Sequence, residues 1–265
     1  MNYFKLVFFS SLLVLTACGG GGNSSPQDNS EPQGNEVSPP PFSGTIFLNQ
    51  NIITNNDPTT FVSTSFEGTG SRLMFDRRVD AFITLDAYLF NATYDDGRII
   101  EIQVNPEFGS SSAAQTEADL YSEVIGRLPT VLLKDVATVS IHKGVKPFGG
   151  GNNNILIHTG QADLYADSGI LEETLVHEAS HTSLDASHAS ASGWISAQNE
   201  DNSFISTYAR DNSAREDIAE TFLVYLAIRY RSDRLSASLE QTILETVPNR
   251  IDYFDVQAFN MHPVQ

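Results

Sequence analysis

The sequence predicts an α+β fold in which a small mixed sheet comes first and a helical half follows. β-rich runs separated by turn residues concentrate in the chain up to His158, whereas apolar residues at helical spacing dominate from about Ser168 onward. Hydrophobic residues make up 40% of the 265 residues, which is typical of a globular protein and excludes a disordered, collagen-like or coiled-coil chain.

Local patterns predict the individual elements. The turn Asp95-Asp96-Gly97 separates two β-rich runs and predicts a hairpin, and Pro129 ends an apolar stripe of helical spacing. The predicted strands span 79–94, 98–104, 136–142 and 155–158, the predicted helix spans 114–128, and the Gly- and Asn-rich segment 149–154 predicts a loop. Because no second linker and no internal repeat follow, residues 42–265 are predicted to form a single domain.

The N-terminus predicts export and lipid anchoring. Residues 1–17 combine Lys5 with an apolar run that has the length of a signal-peptide core. Leu15-Thr16-Ala17-Cys18 resembles the lipobox of bacterial lipoproteins, which implies that Cys18 becomes the lipidated first residue. Residues 18–41 are rich in Gly, Ser, Asn and Pro, so they are predicted to form a flexible tether. Gly19 resembles the sorting pattern of lipoproteins destined for a Gram-negative outer membrane, so we expect a protein anchored by lipid in the bacterial cell envelope.

Charge and cysteine content exclude several kinds of site. The formal net charge of −18 repels phosphate backbones, so nucleic-acid binding is not expected. The single cysteine permits no internal disulfide and no cysteine-based zinc site. Any bound metal must therefore be held by His, Asp and Glu. The sequence says nothing about the oligomeric state.

The segment His177-Glu178-Ala179-Ser180-His181 contains the HExxH motif. On a helix, residues four apart share a face, so His177 and His181 can bring two imidazole nitrogens to one metal ion. Glu178 then lies beside the metal, where a carboxylate can accept a proton from water. The neighbouring apolar residues support a partly buried helix. The motif predicts a zinc site with Glu178 as the general base.

A catalytic zinc site needs a third protein ligand, and the sequence offers four candidates. His188 does not fit the metzincin spacing, which requires His at 187 and Gly at 184. Asp185 is too close to His181 to complete a tetrahedron and is better placed as a partner for an imidazole N–H. Glu200 lies in a polar segment that is predicted to be a loop. Glu216 lies near the start of an apolar helical stripe, although Ser213-x-x-Glu216 also matches a capping box. The residues alone leave Glu200 and Glu216 open.

HExxH followed by Tyr208-Ala-Arg and then Glu216-Asp-Ile-Ala-Glu220 resembles the anthrax lethal factor and Pro-Pro endopeptidase branch of the gluzincins. The resemblance implies a zincin-like catalytic domain over 42–265 with Glu216 as the third zinc ligand. It also implies that Tyr208 donates a hydrogen bond to the oxyanion and that Glu220 orients a ligand histidine.

In gluzincins an edge strand upstream of HExxH binds the substrate in an extended form. The resemblance gives that role to segment 154–159, whose predicted substrate-binding residues are Ile155, Leu156, Ile157 and His158.

The sequence therefore predicts a zinc metallopeptidase, an endopeptidase rather than an exopeptidase, that cleaves peptide or protein substrates. Two alternatives differ in class. One is a catalytically idle lipoprotein that keeps the fold to bind peptides, and the other is a structural lipoprotein without a metal. The intact base Glu178 argues against the first, and the three candidate ligands argue against the second.

Overall fold

The computed structural model describes residues 38–48 and 51–264, in which a six-stranded mixed sheet is combined with helices. The predicted signal peptide (1–17), the predicted lipidation site Cys18 and the predicted tether up to residue 37 lie outside the described residues. Ser38 already donates its N–H to the carbonyl of Asn202 at 3.0 Å. The folded body therefore includes residues 38–41, which the sequence assigned to the tether.

The sheet order is β1-β2-β3-β4-β6-β5. The strands span Phe61–Asp76 (β1), Ala81–Tyr94 (β2), Ile99–Val104 (β3), Thr138–His142 (β4), Gly149–Gly151 (β5) and Asn154–His158 (β6). β1, β2 and β3 form an antiparallel meander, β4 pairs parallel with both β3 and β6, and β5 returns antiparallel along β6. The sheet is therefore mixed, as the sequence predicted.

One helix lies between β3 and β4, and the other helices follow β6. The helices span Ser111–Ile125 (α1), Thr159–Asp167 (α2), Leu171–Ser183 (α3), Asp185–His188 (α4), Ser192–Glu200 (α5), Thr207–Asp211 (α6), Asp217–Tyr230 (α7), Ala237–Thr246 (α8) and Pro248–Asp255 (α9). Short 3-10 turns lie at Pro106–Phe108, Thr130–Leu133 and Ser232–Arg234. The α+β class is confirmed by this arrangement.

One face of the sheet carries the main hydrophobic core. Alternate residues of β3, β4 and β6 point to that face and are fully buried, namely Ile100, Ile102, Val139, Ile141, Ile155 and Ile157. They pack in one cluster with apolar residues of α1, α3 and α7. Residues of the opposite parity, such as Gln103, Ser140 and Asn154, line a groove on the other face. The helices that carry the HExxH motif and Glu216 therefore share one core.

Two strands were not predicted. β1 contains Gly68, Gly70 and several Ser and Thr residues, which lower the strand signal. In the structure β1 pairs with β2 along its whole length in a long hairpin. The segment Gly149–Gly151, predicted as part of a loop, is the edge strand β5. Its glycines allow a close approach to α3, which the next subsection describes.

No helix among residues 38–48 and 51–264 combines the length and the apolar character that a membrane span requires.

Candidate metal centre

Helix α3 presents both histidines of the HExxH motif to one cleft. Leu175, Val176 and Ala179 are fully buried, and they hold the helix against the core. The side chains of His177 and His181 are only 13% and 7% exposed. Their Nε2 atoms lie 3.1 Å apart, as the spacing of four residues predicted.

Glu216 completes a triangle with the two imidazoles. Its Oε2 lies 3.3 Å from His177 Nε2 and 3.1 Å from His181 Nε2. These three residues are the only group of three or more His, Cys, Asp or Glu in the described chain that is arranged to hold a metal ion. At zinc–ligand distances of about 2.0–2.1 Å, two ligand atoms of a tetrahedral site lie about 3.3 Å apart. The triangle therefore fits one face of a tetrahedral zinc site and leaves the fourth position open.

The start of α7 fixes the position of Glu216. Glu216 is itself the N-cap residue of α7, and its side chain makes no capping hydrogen bond. The capping box with Ser213, which the sequence left open, is therefore not formed. The next residue, Asp217, accepts from Arg250 Nε at 2.9 Å, and both side chains are fully buried. This buried ion pair ties the first turn of α7 to α9, while α7 itself packs on α3.

Two further carboxylates lie behind the histidines. Asp185 Oδ2 lies 2.8 Å from His181 Nδ1, and Glu220 Oε1 lies 3.4 Å from His177 Nδ1. A carboxylate at Nδ1 fixes the imidazole so that Nε2 carries the lone pair towards a metal. Glu220 is held by its other oxygen, which accepts from Ser206 Oγ at 2.6 Å and from the Ile46 N–H at 2.9 Å. The structure places both residues where the sequence analysis expected them.

The anionic surroundings favour positive charge on the imidazoles. Burial opposes protonation of His177, but the nearby carboxylates of Glu216 and Glu220 outweigh it and raise the pKa of His177 to about 10. Burial likewise opposes protonation of His181, and Asp185 with Glu216 raises its pKa to about 9. The two histidines hold the pKa of Glu216 well below its usual range although burial acts in the opposite direction. A site that stabilises two protonated imidazoles also suits a divalent cation, whose binding would displace those protons.

Glu178 lines a cleft of about 490 Å³ together with both histidines and Glu216. Other residues of its lining are Thr45, Phe47, Arg77, Pro147, Phe148, Gly150, Tyr165, Thr174, Tyr208 and Arg215. β5 lies directly on the backbone of Glu178: a Cβ atom added to Gly150 would lie 1.9 Å from the Glu178 carbonyl oxygen. The edge strand and the helix of the HExxH motif therefore approach each other as closely as a glycine allows.

Tyr208, in α6, lines the same cleft. Ser206 caps this short helix by accepting from the Ala209 N–H, and Thr207 donates its N–H to the Phe42 carbonyl. Burial and the nearby carboxylate of Glu216 raise the pKa of Tyr208, so its hydroxyl stays protonated and can donate a hydrogen bond. The cleft therefore contains the triangle of candidate ligands, the carboxylate of Glu178 and two phenols, those of Tyr165 and Tyr208.

The structure does not bring every candidate to this cleft. Glu200 ends helix α5, which corrects the predicted loop, and its Oε1 accepts from Ser196 Oγ at 2.7 Å on the surface. His188 Nδ1 instead pairs with the Tyr253 hydroxyl at 2.8 Å. Both residues lie outside the triangle, so Glu216 is the candidate third ligand that the geometry supports.

The prediction that segment 154–159 forms the edge strand is wrong. β6 has β4 on one side and β5 on the other, with Ile155 and Leu156 paired to β5. Ile155, Leu156, Ile157 and His158 are all buried, and none of them lines the metal cleft. The strand that borders the cleft is β5, through Gly150. A run of three glycines carries no strand signal, and therefore the sequence could not identify it.

No family model, no curated protein and no solved structure matches this chain. Any functional assignment therefore depends on the geometry of the cleft and on the residues that line it.

Proposed function

We propose that this protein is a zinc-dependent metallopeptidase with a zincin-like catalytic domain over residues 42–265. The observation that supports the proposal best is the triangle of His177 Nε2, His181 Nε2 and Glu216 Oε2, whose edges of 3.1–3.3 Å match a tetrahedral zinc site. A catalytic zinc site has three protein ligands and one open position, and the cleft of about 490 Å³ provides access to that position.

The residues around the triangle suit peptide hydrolysis. Zinc, when bound, supplies a Lewis acid and lowers the pKa of a bound water to about 7. Glu178 lines the same cleft and has no ion-pair partner within 4.0 Å among residues 38–48 and 51–264, so its carboxylate is available to accept a proton from the attacking water and pass it to the leaving amine. Tyr208 donates a hydrogen bond to the carbonyl oxygen of the scissile bond as negative charge develops there.

Asp185 and Glu220 keep the two imidazoles in the orientation that ligation requires. Their role is to keep the two ligand imidazoles fixed while the peptide bond is hydrolysed. An open cleft bordered by an edge strand suits an internal segment of a polypeptide, which supports an endopeptidase. From the signal sequence and Cys18, we further propose that the enzyme is lipid-anchored in the bacterial envelope, in the outer membrane.

The test uses purified protein beginning at residue 38 and a pool of unbiased peptides, with cleavage read by mass spectrometry. We expect cleavage that is abolished by a chelator and restored by zinc. Glu178→Gln is expected to keep zinc and to lower turnover by at least about 100-fold, the usual scale for loss of a general base. Glu200→Gln, a matched change of a surface carboxylate on α5, should leave both zinc and turnover unchanged.

Two outcomes would contradict the proposal. If stoichiometric zinc does not bind, the metal centre is wrong. If zinc binds and Glu178→Gln turns over peptides as fast as the wild-type protein, the assignment of the general base is wrong.

A further inference from the structure

Arg77 differs from all other arginines of the chain in its charge environment. The chain has eleven arginines, and all of them lie among the described residues. Ten of the eleven have a carboxylate oxygen within 4.0 Å. Arg77 has no such partner among residues 38–48 and 51–264, although the chain contains 33 acidic residues against 15 basic ones. An arginine left unpaired in so acidic a protein is available to bind an external anion.

The position of Arg77 at the end of the β1–β2 hairpin explains why it has no partner. The nearest acidic residue in sequence, Asp76, is already engaged by Arg78, whose Nη2 lies 2.7 Å from Asp76 Oδ2. Arg78 also binds Glu107 at 2.7 Å. Arg77 instead donates from Nη2 to the carbonyl of Phe148 at 2.8 Å. This one neutral contact fixes the guanidinium and leaves its charge without a counterion.

Arg77 lies at the border of the metal cleft. It lines that cleft together with Glu178 and His177, and it also lines an adjoining groove of about 450 Å³ on the other side of β5. Its Nε is buried and has no hydrogen-bond partner in the described chain. The donor that a bound peptide can reach is instead Nη1, which makes no hydrogen bond within residues 38–48 and 51–264 and is not buried.

Two neighbouring residues of β5 link Arg77 to the backbone of Glu178, the proposed general base. Arg77 Nη2 lies 2.8 Å from where a Cβ of Gly149 would be, and Gly150, the next residue, rests on the Glu178 backbone. Successive residues of an extended chain are about 3.3 Å apart. A substrate group that binds Arg77 is therefore expected on a residue within about three positions of the scissile bond, which would lie next to Glu178.

We propose that Arg77 determines substrate specificity by binding a carboxylate of the peptide, either an Asp or Glu side chain or a free C-terminal carboxylate. The proposal rests on the proposed peptidase function. A guanidinium binds a carboxylate through two parallel N–H···O bonds, which neutral amides cannot match. Arg215, the other arginine of the cleft, is already 3.3 Å from Glu216 Oε1, so it is less available for this role.

The first experiment compares cleavage sites in an unbiased peptide pool for the wild-type protein and Arg77→Gln. We expect Asp and Glu to be enriched at one position within about three residues of the cut by the wild-type protein, and this enrichment to disappear in Arg77→Gln. If the carboxylate is the C-terminal one, cuts will instead cluster near free C-termini and disappear when the peptides are amidated.

The second experiment uses a matched pair of peptides. If a side-chain carboxylate is selected, the pair consists of two amidated peptides that differ only by Glu or Gln at the selected position. If the C-terminal carboxylate is selected, the pair consists of one peptide in its free-acid and amidated forms. We expect kcat/KM of the wild-type protein to favour the carboxylate form by about tenfold or more, the scale of a hydrogen bond to a charged group. Arg77→Gln should reduce the preference to less than about twofold, and Arg77→Lys should keep part of it. Arg98→Gln, in the turn after β2, should keep the full preference.

Binding measured without turnover separates the two proposals. Zinc-loaded Glu178→Gln should bind a fluorescent form of the carboxylate peptide about tenfold more tightly than its neutral counterpart, and the double variant with Arg77→Gln should bind both equally. If peptides are cleaved and the preference is absent, or if Arg77→Gln slows both peptides equally, Arg77 is not a specificity residue and the peptidase proposal stands. If nothing is cleaved, the peptidase proposal fails, and binding of one peptide in its free-acid and amidated forms still decides whether Arg77 recognises a carboxylate.

Discussion

Replacing Gly150 by alanine tests whether β5 lies directly on the helix of the HExxH motif. The new Cβ would lie 1.9 Å from the Glu178 carbonyl oxygen, 2.6 Å from its carbonyl carbon and 2.9 Å from its Cα. All three are backbone atoms, so a rotamer change cannot relieve the clash. Ordinary contact begins at 3.4 Å, and the two elements must therefore separate by 3.4 − 1.9 = 1.5 Å.

The strand, rather than the helix, is expected to move. β5 has three residues and one neighbouring strand, whereas α3 has thirteen residues and packs on the buried helix α7. The zinc ligands should stay in place, and we expect zinc affinity to change by less than about threefold. Overpacking of this kind costs about 1–3 kcal/mol of stability. Displacing the border of the cleft by more than 1 Å should lower kcat/KM by about 100-fold.

The assay measures thermal unfolding, zinc affinity and turnover of a neutral peptide on the same sample. Gly149→Ala is the matched control. The one atom closer than 3.4 Å to its Cβ would be the end of the Arg77 side chain, at 2.8 Å, and that end can shift. It should keep the stability and the turnover of the wild-type protein. If Gly150→Ala also behaves like the wild-type protein in all three measurements, the close packing of β5 on Glu178 is refuted.

Two further predictions concern single side chains. Tyr208→Phe should lower kcat by about tenfold or more with little change in KM, because its hydroxyl acts as negative charge develops; steady-state kinetics measure this. Burial lowers the pKa of His142 from its ordinary 6.5 to about 4, so the unfolded chain binds a proton that the folded chain does not. Relative to His142→Gln, the wild-type protein should therefore lose up to about 3 kcal/mol of stability as pH falls from about 6.5 to about 4. Above pH 6.5 the stability difference between the two proteins should not change with pH. Denaturant titrations at several pH values measure this difference.

The sequence predicted those parts of the site that depend on local spacing. His177 and His181 are four residues apart, so a single helix brings them together and no tertiary information is needed. Glu216 lies 35 residues beyond His181, and only the packing of α7 on α3 joins them. The local sequence pattern from Ser213 to Glu216 predicted a capping box as an alternative role for Glu216. In the structure the capping box is not formed, and Glu216 contacts the histidines of α3 instead. The resemblance to gluzincins favoured Glu216 over Glu200, a choice that the residues alone left open.

The features that the sequence did not predict depend on contacts between distant segments. Gly150 belongs to a run of glycines that is typical of a loop, and only its approach to Glu178 explains why no side chain is tolerated there. Arg77 is one of eleven arginines, and its lack of a carboxylate partner becomes visible only when all ion pairs are known. β1 was missed because its Gly, Ser and Thr residues weaken the strand pattern, while its pairing with β2 stabilises it.

Zinc affinity of the wild-type protein and of Glu216→Gln, measured by competition with a chromophoric chelator, tests the metal centre itself. We expect one zinc per wild-type chain, and an affinity that falls by at least about tenfold in Glu216→Gln, because a neutral amide is a poor substitute for an anionic oxygen ligand. Thermal unfolding without metal should show that α7 stays folded, and Glu200→Gln should bind zinc as the wild-type protein does. Zinc affinity that is unchanged in Glu216→Gln would contradict the assignment of His177, His181 and Glu216 as the ligands of one ion.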